Sequence, residues 1–315
     1  MKPPDAYKGY YLMTSRCNLD CSYCVLEDAP EQLRRELDLD GKKALIAHLH
    51  RIGLRHLTLS GGESLLIGKR PPRDFLELLE FLRTFRSEDP NRHLGVALYT
   101  NGTRLDAEVA DAMVGVVDEV SVTIDSSDDG LLRSIGRNTG RHRGYFERAA
   151  AACGLLTQRG IQVKLHTVVA QMNHERIAIE APSILDAVEA AGGTVGRWKF
   201  YQYMSYDDAA RDGAHAIVAL QFAAARDGVT RSLAGRQVQL HFKDNEEMTD
   251  SLFNILPYGN AQYLAAGDSW ATSRRTRDLR SYATMDELFA EQAIDVEAFR
   301  KFHTFLQGPV EAGKP

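Results

Sequence analysis

The chain has 315 residues, a formal net charge of −5 and 44% hydrophobic residues. That length and apolar content suffice to bury a sizeable core, and the acidic balance argues against a broad nucleic-acid surface, so no nucleic-acid partner is expected. With four cysteines, no apolar run near the roughly 18 residues of a membrane span and no signal-peptide pattern, the expectation is a cytoplasmic protein without a membrane partner.

The first strand is predicted over residues 8–14 and leads into three cysteines, in Arg16-Cys17-Asn18-Leu19-Asp20-Cys21-Ser22-Tyr23-Cys24. Thiolates at spacings of four and three can converge on one side of a tight loop. They can hold a 4Fe–4S cube by three of its irons and leave the fourth open to another ligand. A structural zinc site would want a fourth protein ligand, and the next histidines, His48 and His50, stand more than twenty residues on in a predicted helix. Disulfides fail on parity, because Cys153 alone remains. That cysteine, in Ala152-Cys153-Gly154, reads as a small buried hydrophobe within a helix.

A second strand, 56–60, runs into Gly61-Gly62-Glu63. Glycines let a backbone come close to a ligand, and a carboxylate pairs with an ammonium. Further strands are predicted at 95–100, 119–124, 161–168 and 197–202, with helices near 41–53, 73–87, 106–114, 144–159 and 175–191. This alternation predicts an α/β fold, a partial (β/α)6 TIM-like barrel over residues 1–205, with ligands at the carboxyl ends of its strands. From about 206 the alternation lapses, and residues 206–315 read as a C-terminal extension closing the barrel mouth. Within it, the stretch 266–280 with Arg274, Arg275, Arg277 and Arg280 reads as a solvated basic turn.

Lys164, Arg197 and Lys199 are cations on predicted interior strands, the last two sharing a face at i and i+2. Charged side chains are seldom buried without a partner. Three of them converging suggest a phosphate-bearing substrate; the alternative is pairing with carboxylates on neighbouring strands, such as Glu63 or Asp125.

The Cys17-x3-Cys21-x2-Cys24 loop behind the first strand, followed by Ser60-Gly61-Gly62-Glu63, resembles the radical S-adenosylmethionine (SAM) superfamily. The resemblance implies a 4Fe–4S cluster on Cys17, Cys21 and Cys24, SAM as second cofactor with its amino group at Gly61, Gly62 and Glu63, and a flavodoxin- or ferredoxin-type reductant. Cys153 alone holds no auxiliary cluster of the kind found in peptide-modifying relatives. From the middle of the chain the sequence looks like viperin and its prokaryotic relatives. Four segments carry this: Val122-Thr123-Ile124-Asp125-Ser126 with Ile135-Gly136-Arg137; Val163-Lys164-Leu165-His166; Arg197-Trp198-Lys199; and Asn245-Glu246-Glu247-Met248-Thr249-Asp250-Ser251. By that likeness Thr123 and Arg137 also hold SAM, while Lys164, Arg197, Lys199 and Asn245 meet the substrate. His56 and His166 stand where the family has a lysine and an asparagine of the substrate site, and Leu252 where it has a tyrosine.

The implied reaction forms a 5′-deoxyadenosyl radical that abstracts a ribose hydrogen, dehydrating a nucleoside triphosphate to its 3′-deoxy-3′,4′-didehydro form, an antiviral chain terminator. The alternative keeps the radical and changes the substrate: a decarboxylase, dehydratase or epimerase acting on a nucleoside or sugar acid in natural-product biosynthesis. A non-catalytic iron–sulfur scaffold would make Glu63, Thr123 and Arg137 incidental. No residue is singled out for proton transfer.

Overall fold

The computed structural model describes residues 7–24, 26, 35–138, 143–205, 208–248, 253–265 and 274–294, with Val296 and Phe299. Seven strands run parallel in chain order: β1 (Tyr7–Leu12), β2 (Leu54–Ser60), β3 (Gly95–Thr100), β4 (Glu119–Thr123), β5 (Gln162–Val169), β6 (Val195–Gln202) and β7 (Gln239–Lys243). Between them lie α1 (Leu39–Arg51), α2 (Arg73–Arg83), α3 (Ala107–Met113), α4 (Asp129–Ser134), α5 (Tyr145–Thr157), α6 (Ile177–Ala190), α7 (Ala209–His215) and α8 (Ala219–Ser232). After α9 (Asn245–Met248), β8 (Phe253–Ile255) returns to the opposite edge and pairs in parallel with β1. Antiparallel β9 (Ala261–Tyr263) and β10 (Arg274–Arg275) extend that edge, and α10 (Met285–Glu291) follows.

The helices begin where the sequence supplies a cap. Asp38, Asp106 and Asp128 each accept a backbone N–H of the first turn, from Gly41, Val109 and Leu131, satisfying donors that a helix start leaves orphaned. In α2 the buried residues Phe75, Leu78, Leu79 and Leu82 form one stripe, the i, i+3, i+4, i+7 pattern of a helix lying on a sheet.

The strands alternate too, but with the polar face inward. Val120 and Val122 of β4, Val163 and Leu165 of β5, and Trp198 and Phe200 of β6 belong to the apolar core packed beneath the helices. Their neighbours Ser121, Lys164, His166 and Lys199 are also buried, on the opposite face of the sheet. The mixed α/β architecture is thus a partial TIM-like barrel, as the alternation predicted, with a polar lumen. The alternation also continues past residue 206, because α8 and β7 add a seventh unit beside β6. That strand, Gln239-Leu240-His241-Phe242-Lys243, carries no apolar run, which is why composition alone does not reveal it. Among the described residues, no helix is long and apolar enough to cross a membrane.

Thr249 to Leu252 and residues 266–273 of the expected basic turn lie outside the described residues. Of that turn's arginines, Arg277 pairs with Glu287 and Arg280 with Asp278 at 2.6 Å.

Candidate active site

The cysteine loop leaves the carboxyl end of β1 and is fixed on both flanks by backbone hydrogen bonds. On one side Gly62 N donates to Thr14 O and Glu63 N to Arg16 O, both at 2.8 Å; on the other Asp20 N donates to Gly136 O at 3.3 Å and Ser22 N to Ile135 O at 3.1 Å. This explains the glycines. A Cβ on Gly62 would stand 2.3 Å from Arg16 O, and one on Gly136, whose φ is +82°, 2.0 Å from Asp20 O. The close approach that Gly62 permits here is therefore to the cysteine loop itself.

Cys17 is exposed, Cys24 half-buried and Cys21 buried, and all three are free thiols. Burial pushes Cys17 up to about 11 and Cys21 up to about 12, against the pull of Arg137. Backbone N–H groups of Leu19 and Leu26 approach Cys17 Sγ and Cys24 Sγ at 3.4 Å, and Asn101 Nδ2 lies 3.8 Å from Cys17 Sγ. Such donors favour thiolates. Among the described residues no three His, Cys, Asp or Glu side chains converge where one metal ion would sit. A cubane takes each thiolate on a different iron, so this donor set fits the cluster and not a four-ligand zinc site. Cys153 is buried in α5, with its thiol raised to about 12 by burial.

Glu63 follows the glycine pair and is fully buried. Its carboxylate accepts from Thr100 Oγ1 at 2.9 and 3.0 Å, Asn101 N at 2.9 Å and Leu65 N at 3.2 Å. Burial raises its pKa, with these hydrogen bonds opposing. All three donors are neutral, and a carboxylate offers about four acceptor sites, so an ammonium brought to it would add a charge-assisted contact. These residues fit the amino group of SAM.

Arg137 is buried against Asp125, with Nε 2.7 Å from Oδ2. The guanidinium also donates to the hydroxyls of Tyr23 (Nε at 2.9 Å) and Tyr145 (Nη1 at 2.7 Å). Tyr23 in turn donates to Asp125, and Tyr145 to the carbonyl of Thr123. Sequence reasoning placed Arg137 and Thr123 at SAM without this network. Tyr23, lying between Cys21 and Cys24, is its overlooked member. Of the five guanidinium donors, those on Nη1 and Nη2 are not all used, so a carboxylate can still be met.

The expected substrate residues share the lumen. His56 (β2), Lys164 and His166 (β5), and Arg197 and Lys199 (β6) point inward with Tyr99 and Tyr201. The His166 ring meets Tyr99 edge-on at 4.4 Å and Tyr201 at 5.2 Å. Gly95 makes room for His56, since a Cβ there would stand 2.6 Å from Nδ1. Asn245 lies apart from this group, beyond the carboxyl end of β7, where its Nδ2 donates to Tyr203 O at 3.1 Å. Among the described residues, four buried atoms of the lumen face have no partner, namely Thr58 Oγ1, Ser121 Oγ, His166 Nε2 and Arg197 Nε, and outside that group Asn245 Oδ1 has none either.

Two expectations are corrected. The cations do not gather at the carboxyl ends of the strands: His56, Lys164 and Arg197 lie in the amino-terminal half and line a cavity of about 390 Å3 with Lys8, His93, Asp118 and Glu119. Nor is their carboxylate neighbour Glu63 or Asp125. It is Glu119, 2.6 Å from Lys164 Nζ and 3.9 Å from Arg197 Nη1. Lys8 and Glu119 were missed, although each opens an inward-facing alternation, Lys8-x-Tyr10 and Glu119-x-Ser121-x-Thr123.

A family model described as the radical SAM superfamily matches residues 11–178, more than half of the chain. The chain belongs to the radical SAM superfamily. Its cofactors are accordingly a 4Fe–4S cluster and SAM. Among curated relatives, GTP 3',8-cyclase of Chlorobaculum tepidum is 31% identical over 198 residues, 62% of this chain and 53% of that protein. Mycofactocin maturase MftC of Mycolicibacterium smegmatis is 30% identical over 166 residues, 52% of this chain and 38% of that protein. The chain thus spans about half or less of the length of these relatives. Among solved structures, Streptococcus suis SuiB bound to S-adenosylmethionine has a TM-score of 0.65 at 12% identity, covering 95% of this chain and 68% of SuiB. Native anSMEcpe with bound AdoMet and a peptide has a TM-score of 0.65 at 15% identity, covering 94% and 82%. These likenesses show the fold.

Proposed function

We propose that this radical SAM enzyme abstracts a ribose hydrogen from a nucleoside triphosphate and dehydrates it in the manner of viperin. The observation that carries the reading is the lumen, where buried lysines and an arginine outnumber carboxylates and several polar atoms lack partners. Such a surface is costly when empty and complementary to an anion. That the relatives include enzymes named for GTP supports a nucleotide as that anion.

In this reading Cys17, Cys21 and Cys24 hold the cluster, Gly61 to Glu63 receive the amino group of SAM, and Arg137 and Thr123 border it. When bound and reduced by a flavodoxin- or ferredoxin-type donor, the two cofactors supply the 5′-deoxyadenosyl radical. The chain's own work is placement. Lys164, Arg197 and Lys199 hold the phosphates in the lumen with His56 and His166 beside them, which puts the ribose toward the carboxyl ends of the strands and the cysteine loop. Asn245, joined to the end of β6, lines the mouth.

A second reading is ring closure within the nucleotide, favoured by the GTP 3',8-cyclase relatives. Anaerobic incubation with SAM, dithionite and each common nucleoside triphosphate separates them. The expected outcome is substrate-dependent 5′-deoxyadenosine and a nucleotide product lighter by one water; an intramolecular ring closure loses no water. If nucleosides without phosphate are turned over equally well, the alternative of a nucleoside or sugar-acid tailoring enzyme replaces both.

A further inference from the structure

We propose that Lys8 is a further anion-binding residue, that it meets the terminal phosphate of a triphosphate at the amino end of the lumen, and that Glu119 sets how many phosphates the lumen accepts. This deepens the nucleotide reading and rests on it.

Lys8 is the second residue of β1 and pairs in register with His56. Its ammonium lies 5.4 Å from the centroid of the Tyr10 ring, and it faces Lys164, Glu119 and Arg197 across the cavity. Lys164 makes the matching contact with Tyr99 at 5.6 Å. Four cations therefore enclose the lumen from β1, β5 and β6, while Glu119 is the carboxylate they share. Lys8 and Lys199 have no ion-pair partner among the described residues. With every one of them in its charged form, which an arriving anion favours, four cations less one carboxylate amount to three positive charges in a buried space. A terminal phosphate carries about −1.5 to −2 near neutral pH, with roughly one more charge for each bridging phosphoryl group. Two or three phosphoryl groups, at about −2.5 to −4 in total, match this set, whereas a monophosphate leaves it positive.

The position of Lys8 fixes the direction. His93, Asp118 and Gln162, which rim the same cavity, precede or open β3, β4 and β5, so the cavity opens at the amino ends of the strands. Lys8 and the cysteine loop stand at opposite ends of β1. At about 3.3 Å per residue, that separation suits a ligand whose ribose is near the loop and whose last phosphate is near Lys8. Glu119 pairs with Lys164 and lies within reach of Arg197. An incoming anion must outcompete it, which penalises ligands carrying fewer charges.

The test titrates reconstituted holoprotein by calorimetry with inorganic tripolyphosphate and with orthophosphate. Lys8→Met should weaken tripolyphosphate binding at least tenfold while SAM affinity holds and the thermal midpoint does not fall, and Lys8→Arg should restore most of the loss. Glu119→Gln should raise orthophosphate affinity more than tripolyphosphate affinity, narrowing the gap between them. Tripolyphosphate binding by Lys8→Met at wild-type affinity overturns the assignment of Lys8, and an unchanged gap in Glu119→Gln overturns that of Glu119. Because the probe has neither base nor ribose, either result stands whether or not any nucleotide is turned over. The nucleotide reading fails separately, on absence of substrate-dependent 5′-deoxyadenosine.

Discussion

Arg137 and Asp125 form a buried ion pair at 2.7 Å, and the Tyr23 hydroxyl that joins them belongs to the cysteine loop. The pair therefore ties the loop to the end of β4 through the chain's own side chains. Removing one partner of such a pair leaves a charge without its counter-ion, at a cost of about 3–5 kcal/mol. Arg137→Met is expected to lose stability of that size in denaturant unfolding of both the cluster-free and the reconstituted protein, and to reconstitute with less iron. If cluster-free stability is unchanged and only SAM affinity falls, the pair is not what anchors the loop.

Cluster ligation is tested at the metal. Reconstituted protein should contain about four irons per chain. Cys21→Ala should lose them and the brown colour, while Cys153→Ala, altered inside α5, should keep both. Retention of iron by a variant lacking Cys17, Cys21 and Cys24 together would sink the assignment.

Glu63 offers its carboxylate to SAM from a pocket of neutral donors. A charge-assisted contact of about 1.5–3 kcal/mol corresponds to about 10- to 150-fold in affinity. Glu63→Gln, which keeps the shape and the hydrogen bond to Thr100, should weaken SAM binding by that factor in calorimetry. Undiminished affinity would move the amino group elsewhere.

The lumen sets a pH dependence whose sign follows from Lys199. Burial and then the repulsion of Lys164 and Lys8 hold its ammonium near 6, against an ordinary 10.5. Between those values the folded chain binds fewer protons than the unfolded one, so ligand-free stability rises with pH from about 6 upward. Lys8, held near 8, adds its share above that. An anion needs the ammonium form, so its affinity is greatest at or below pH 6. From 6 to 8 it should fall, by up to about tenfold per unit for one titrating group. His56 and His166, as imidazoles, would ordinarily titrate close to that window. Burial and the surrounding cations push both below the ordinary imidazole value, and His241 on β7 down to about 4. Among the remaining neighbours, Lys164 and Arg197 hold the Glu119 carboxyl below its ordinary value, and burial raises the hydroxyls of Tyr99 and Tyr201 above theirs, so these three do not titrate in that window. Tripolyphosphate affinity measured from pH 6 to 8 should keep its slope in His56→Gln and lose most of it in Lys199→Met.

What could be read from the residues was whatever has a period or a spacing. The six strands and five helices fell near their observed ranges because a parallel sheet under helices needs alternating apolar faces. The cysteine loop and Gly61-Gly62-Glu63 were legible because their chemistry is local. Pairings made across the barrel were not. Nothing in the neighbourhood of Glu119 in the sequence says that Lys164 and Arg197 will share it, because the contact depends on strand register, Ser121 opposite Lys164 and Lys164 opposite Arg197. Lys8 was hidden for the same reason: it stands among tyrosines at the start of β1, and its neighbours come from β5 and β6. β7 escaped notice because a strand that presents histidine and lysine to a polar lumen lacks the apolar run by which strands are recognised.

The last third of the described chain acts on the sheet as a clasp. β7 lies along β6, with Phe242 stacked on Phe200 at 4.9 Å, and β8 lies along β1, with Tyr10 opposite Asn254. A fragment ending at residue 205 would bare a row of amides and carbonyls on each side, and such rows recruit other strands. It would behave as a sticky ribbon rather than a smaller enzyme. Swapping that third between relatives would likewise replace both hems of the sheet at once, and with them the rim through which any ligand must pass.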